Sequence, residues 1–115
     1  MAFTEIEAKQ CERDLSRFLK RRRPPPEIRS ELDIGFRISG HSVELFEVRP
    51  VWNDRSKTAE HPFAKATFVR TVSQWRIYWM RQDLKWRGYQ HVPNVATLKD
   101  FLEIVDRDEF YCFFG

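Results

Sequence analysis

The sequence predicts a single α+β domain. It has an N-terminal helix, a four-stranded antiparallel sheet built from two hairpins, and a short C-terminal helix, with both helices on one face. Three observations predict it. An apolar stripe at spacings of three and four runs through residues 4–23 and stops at Pro24-Pro25-Pro26. Apolar and polar residues then alternate in short segments between residues 32 and 84. A second helical stripe begins after Thr97. Alternation of period two marks half-buried strands, and the three-and-four spacing marks helices. Strands joined by short turns are antiparallel, and one sheet covered on one side is the economical way to close such a chain.

In the first helix, Thr4 is suited to the N-cap and Glu7 completes a capping box three residues on. Ala8, Cys11, Leu15, Phe18 and Leu19 form its buried stripe. Lys20-Arg21-Arg22-Arg23 complements the negative end of the helix dipole, and the prolines end the helix. Leu32, Ile34, Phe36 and Ile38 alternate with Asp33, Gly35, Arg37 and Ser39 in the first strand. Gly40-His41 suits a two-residue turn with glycine first. Val43 to Val48 returns as the second strand, where adjacent Leu45 and Phe46 point to a bulge or to burial on both faces. Pro50 puts the end of that strand at an edge or beyond the ladder. Asn53 to Phe63 reads as a polar loop. Residues 64–72 and 75–84 form the second hairpin, turning at Ser73-Gln74, and Gly88 to Val95 reads as another loop. Thr97 caps a helix that runs to Asp106, with Leu98, Phe101, Leu102 and Val105 on its apolar face. The tail from Phe110 to Gly115 is too apolar to stay in solvent and is expected to pack on the core.

A turn at Ser73-Gln74 sets Phe68 opposite Trp79 and assigns two faces to the second hairpin. One face carries Ala64, Ala66, Phe68, Arg70 and Val72 against Trp75, Ile77, Trp79, Arg81 and Asp83, and is expected under the helices. Buried Arg70 and Arg81 then require a carboxylate, for which Asp83 and Glu47 are the candidates. The other face carries Lys65, Thr67, Val69 and Thr71 against Arg76, Tyr78, Met80 and Gln82.

With 115 residues, the chain buries roughly two-thirds of its unfolded surface as one domain. Ten Phe, four Trp and three Tyr supply the core in large pieces. No apolar run approaches the roughly 18 residues of a membrane span. The segment Met1 to Glu7 lacks the apolar region of a signal peptide, so a cytoplasmic location is expected. Cys11 and Cys112 are expected as free, buried thiols. The net charge of +3 is unevenly spread, with six basic residues and one acidic residue in residues 64–89. Residues 97–115 hold two basic and five acidic side chains.

The segments Arg49-Pro50-Val51-Trp52, Ala64 to Thr71, Trp75 to Trp86 and Cys112-Phe113-Phe114-Gly115 resemble a family of short bacterial proteins, the domain of unknown function 3024. The resemblance covers nearly the whole chain after the first helix. It implies a bacterial cytoplasmic protein of this size, and it implies no activity and no residue role.

Several kinds of chemistry find no support in the residues. His41, His61 and His91 lack metal-ligand spacing, so neither a metal nor another cofactor is expected. An enzyme reading draws on Asp54, Glu60 and His61, with Arg49 and Lys65 flanking. No nucleophile elbow or phosphate loop accompanies those residues. Lys20-Arg21-Arg22-Arg23 reads as a solvated helix end, with phosphate binding as its other reading. The expected function is a small binding module. Its leading partner is single-stranded nucleic acid, held by a basic and aromatic sheet face of Lys65, Arg76, Tyr78, Lys85, Trp86 and Arg87. The alternative is a non-catalytic protein-interaction domain, a homodimer formed through an exposed sheet edge or the aromatic tail.

Overall fold

The computed structural model describes residues 3–114. Met1, Ala2 and Gly115 lie outside the described residues, and with them the first residues of the signal-peptide reading and the last residue of the tail. The elements run α1 (Glu5–Arg22), β1 (Asp33–Ser39), β2 (Ser42–Val51), β3 (Asp54–Val69), β4 (Gln74–Met80), β5 (Trp86–Gly88), β6 (Asn94–Val95) and α2 (Leu98–Arg107). The fold is α+β.

Helix α1 begins as its sequence dictates. The Glu7 amide donates to Thr4 Oγ1 at 3.2 Å, and the Thr4 amide donates to Glu7 Oε1 at 2.9 Å. This reciprocal capping box satisfies two amides that the first turn leaves without helical partners. Cys11, Leu15 and Phe18 are buried along one stripe, together with Asp14. After the last turn, Arg23 reaches Asp33 through two bonds of 2.7 Å. That pair holds the Asp33 carboxyl below the usual carboxylate range, and it ties the end of the helix to the start of the sheet.

The strands follow the order β1-β2-β3-β4-β5, with β6 also paired to β4, all antiparallel. The sheet therefore has more strands than the four expected. Both added strands lie on the outer edge of β4. β5 covers Tyr78 to Met80, and β6 covers Trp75 and Arg76. Between them the Tyr89 amide donates to the Ile77 carbonyl at 2.9 Å, and the Ile77 amide donates to the Pro93 carbonyl at 3.0 Å. Residues 86–95 thus form one interrupted edge. Gly88, Pro93 and the shortness of both pieces hide the alternation that announces a strand.

The expected loop from Asn53 to Phe63 is a strand. β3 runs unbroken from Asp54, and Val51 pairs with Asp54 across a tight turn at Trp52 and Asn53. Residues 55–58 and Glu60 are exposed, so this arm has no buried face to impose apolar alternation. Its ladder to β2 supplies the order instead. A register shift falls between Leu45 and Phe46, where Leu45 pairs with Ala64 and Phe46 with Pro62. Phe63 is the extra residue, so the bulge expected from Leu45-Phe46 sits on the partner strand. Phe63 and Ala64 both join the core.

The β3–β4 turn is longer than expected and spans Arg70 to Ser73, with Ser73 at a φ of 50°. Phe68 consequently faces Trp75, and Trp79 faces Ala64. The expected Phe68–Trp79 pair is incorrect. The register moves by an even number of residues, so each side chain keeps the face assigned to it. Ala66, Ile77 and Trp75 lie in the same buried cluster as Leu15, Phe18, Leu98 and Phe101, which places both helices on that face. Phe113 is buried there, and the Phe114 ring lies 4.9 Å from that of Phe63, so the tail packs back on the core.

A candidate binding surface on the helix-free sheet face

Alternation along the strands assigns the residues of the open face. Through the register, Arg37, Glu44, Lys65, Tyr78 and Gly88 form one row across β1 to β5. Ser39, Ser42, Thr67, Arg76 and Asn94 form the next. Trp86 pairs with Met80 at the edge of the first row. The Lys65 ammonium lies 4.8 Å from the Tyr78 ring centroid and 4.8 Å from that of Trp86. A cation held between two ring faces gains from both quadrupoles and loses side-chain freedom.

At the β1 end of the face, the Phe46 ring lies directly over Gly35. A Cβ built on Gly35 falls 2.8 Å from Phe46 Cε1, so only glycine leaves room for the ring. The Arg37 guanidinium covers the same ring at 5.0 Å and donates to Glu60 Oε1 at 2.6 Å. Arg76 is exposed and has no ion-pair partner among the described residues. Ser42 and Thr67 share a hydroxyl hydrogen bond of 2.8 Å.

The six residues singled out from the sequence divide accordingly. Lys65, Arg76, Tyr78 and Trp86 share the helix-free face. Lys85 lies in the exposed β4–β5 turn, where its amide donates to Asp83 Oδ1 at 3.1 Å. Arg87 pairs in register with Trp79, so it belongs to the opposite side of β5 from Trp86. It sits 3.7 Å from Asp83. Sequence reasoning missed Phe46 and Arg37 as members of this surface. The signal for Phe46 was its adjacency to Leu45, which forces one of the two onto the far face.

Arg70, Arg81 and Asp83 correct the expected pairing of buried charges. Arg70 lies in the β3–β4 turn and grips Glu7 of α1 through bonds of 2.6 and 3.2 Å. Arg81 and Asp83 lie beyond β4 and are exposed. Glu47 takes Arg49 at 3.3 Å. Two of the groups invoked for acid–base work, Asp54 and Glu60, are strand residues with structural partners. Asp54 accepts from the Ser56 hydroxyl at 2.6 Å, and Glu60 holds Arg37.

A family model described as "Domain of unknown function (DUF3024)" matches residues 3–115. The chain belongs to the DUF3024 family. The match takes in α1, which the resemblant segments had left out. No curated protein and no solved structure gives a significant match. No helix of this DUF3024 protein is long and apolar enough to cross a membrane among the described residues.

Proposed function

We propose that this DUF3024 protein is a small binding module whose helix-free sheet face contacts single-stranded nucleic acid. The observation that carries the proposal is the Lys65 ammonium set 4.8 Å from both the Tyr78 and Trp86 rings, on a face that the helices leave open. Aromatic rings on a sheet face stack unpaired bases, and neighbouring cations neutralise phosphate. Arg76 supplies a second cation on that face. Residues 64–89 carry six basic side chains against one acidic, which favours encounter with a polyanion. Lys85 extends the basic rim from the adjoining turn. Arg87 lies toward the opposite side and is left out of the site. Free Cys11 and Cys112 suit a reducing compartment, and the cytoplasm is the proposed setting.

The test is binding to a short random oligonucleotide across a salt series. Affinity should fall steeply between about 50 and 200 mM salt, as counterion release requires. Lys65→Glu with Arg76→Glu should abolish binding and leave the melting temperature nearly unchanged. Absence of wild-type binding at low salt would overturn the proposal. Binding that survives the reversal would move the site off this face.

A second reading, a homodimer, has one specific observation in its favour. Trp52, at the tip of the β2–β3 arm, is 90% exposed. A large aromatic so placed is suited to seat in a pocket of a partner copy. Sedimentation of wild type and Trp52→Ala tests it, and a monomeric wild type would remove it.

A further inference from the structure

Opposite the sheet face, a cavity of about 530 Å³ opens between α1 and the start of α2. Its apolar wall includes three aromatic rings, those of Phe3, Phe68 and Trp75. The Phe3 and Trp75 rings lie 5.6 Å apart, and Phe68 and Trp75 lie 5.2 Å apart. Cys11 and Leu98 continue the wall. A volume in this range suits a small organic ligand, and apolar walls with a few polar groups are the usual build of such sites.

Of the polar residues that line the cavity, Asp14 is the buried one, only 7% exposed. Its Oδ1 accepts from the Gln10 side-chain amide at 3.3 Å. Its Oδ2 takes no hydrogen bond from any described residue. Cations are close at hand. Lys99 borders the same cavity, and Arg17 lines the neighbouring one that Asp14 also reaches. Neither forms an ion pair with Asp14 among the described residues. Asp14 Oδ2 stays open to the cavity, so a donor or cation that enters can meet the carboxylate there. The other carboxylate at the cavity, Glu7, is already engaged by Arg70 and Thr4.

We propose that this cavity binds a small organic ammonium with an apolar body, its ammonium group donating to Asp14 and its body lying against Phe3, Phe68 and Trp75. The aromatic wall favours a cation as well as an apolar surface, because ring faces attract ammonium groups. An anion fits less well. The first turn of α2 also borders the cavity, but the Thr97 hydroxyl already takes the Asp100 amide at 3.1 Å. A bound anion would also face the Asp14 charge, whereas that of Glu7 is offset by Arg70.

Two probes of nearly the same shape and opposite charge make the test, phenethylammonium and 3-phenylpropanoate. Each is titrated into the full chain by calorimetry, with amide chemical shifts followed in parallel. Phenethylammonium should bind with shifts at Gln10, Asp14 and Leu98. Its affinity should exceed that of 3-phenylpropanoate by about tenfold or more, the worth of one charge-assisted hydrogen bond. Asp14→Asn keeps the shape and should remove about that factor. Ala96→Trp, placed at the exposed rim, should fill the mouth and block binding. Equal affinity for the two probes would overturn the proposal. So would absence of phenethylammonium binding at millimolar concentration, or undiminished binding by either variant.

Discussion

Glu7 and Arg70, 63 residues apart in the chain, form a two-bond ion pair with N–O distances of 2.6 and 3.2 Å. The same carboxylate closes the capping box of α1 with Thr4. One side chain therefore starts the first helix and anchors the turn between β3 and β4. The Arg70 guanidinium, the Thr4 amide and the Thr4 hydroxyl together hold the Glu7 carboxyl at about 2, against an ordinary 4.5.

Acid should therefore undo this contact in a defined window. A carboxyl whose folded pKa is depressed binds its proton more readily in the unfolded chain. Its stabilisation is fully present above about 4.5 and is lost as pH falls toward about 2. Glu7→Gln should lower the melting temperature at neutral pH. The gap between variant and wild type should shrink on titration from pH 4.5 to pH 2. A gap that stays constant over that range would show that Glu7 does not carry the dependence.

Gly35→Ala should strain the sheet through one ring. The new methyl would stand 2.8 Å from Phe46 Cε1 and 2.9 Å from Cζ, so the Phe46 ring must move. The expected loss is about 1–3 kcal/mol, the range for overpacking a tight contact. Phe46→Leu should be less harmful in the Gly35→Ala background than in wild type. Denaturant unfolding of the four chains measures this coupling, and strictly additive losses would contradict it.

These two contacts show which parts of the structure were legible in the sequence. The capping box at Thr4 and Glu7 is a local pattern, and α1 begins where it predicts. Thr97 announces α2 in the same way, and its hydroxyl takes the Asp100 amide. The partner of Arg70 was not legible. It depends on the β3–β4 turn carrying four residues, and no residue in Arg70 to Ser73 demands that length. The face assignment survived the wrong turn because side chains in strands repeat every two residues and the shift was even. The first half of β3 was misread for a different reason. Its order comes from backbone bonds to β2, and those leave little trace in side-chain polarity. Lys65, Arg76, Tyr78 and Trp86 came together because three of them depend only on parity. Arg87 fell away because β5 alternates like any strand, which a loop reading cannot register.

Trp75 should matter more to stability than Trp79, although both belong to the helix-facing side. Trp75 is 7% exposed and contacts both Phe3 and Phe68. Trp79 is only partly buried and borders the edge formed by β5. Trp75→Ala should cost about 3–5 kcal/mol, as expected for deleting a buried aromatic ring. Trp79→Ala should cost clearly less. Equal losses in denaturant midpoints would mean that the β5 edge closes more tightly over Trp79 than its partial burial implies.

Cys11 should resist thiol reagents in the folded state. Burial first, and then the nearby charges of Asp14, Glu7 and Glu12, push its thiol up to about 11 from an ordinary 9. The thiolate is the reactive form, so labelling at pH 8 should be slow and should become fast on unfolding. Cys112 is less buried, and its thiol is also pushed up, by burial and by Asp108. It should label ahead of Cys11. The Cys112→Ser variant isolates the slower site, and rapid labelling of that variant in native buffer would place Cys11 outside the core.

The pairing of Lys65 with its two rings should be measurable without any ligand. The ammonium lies 4.8 Å from each of the Tyr78 and Trp86 centroids, and cation–ring contacts at the surface contribute roughly 0.5–1 kcal/mol. Lys65→Met keeps the length of the side chain and removes the charge. Trp86→Leu removes one ring and keeps apolar cover over Met80. In a double-mutant cycle the coupling between the two changes should fall near 0.5–1 kcal/mol. Raising the salt concentration should reduce the coupling only slightly, since a cation between rings is partly withdrawn from the screening solvent. If the coupling is zero, Lys65 swings free of the rings in solution. The face would then offer two open aromatics and a mobile cation, in place of a cation already fixed over them.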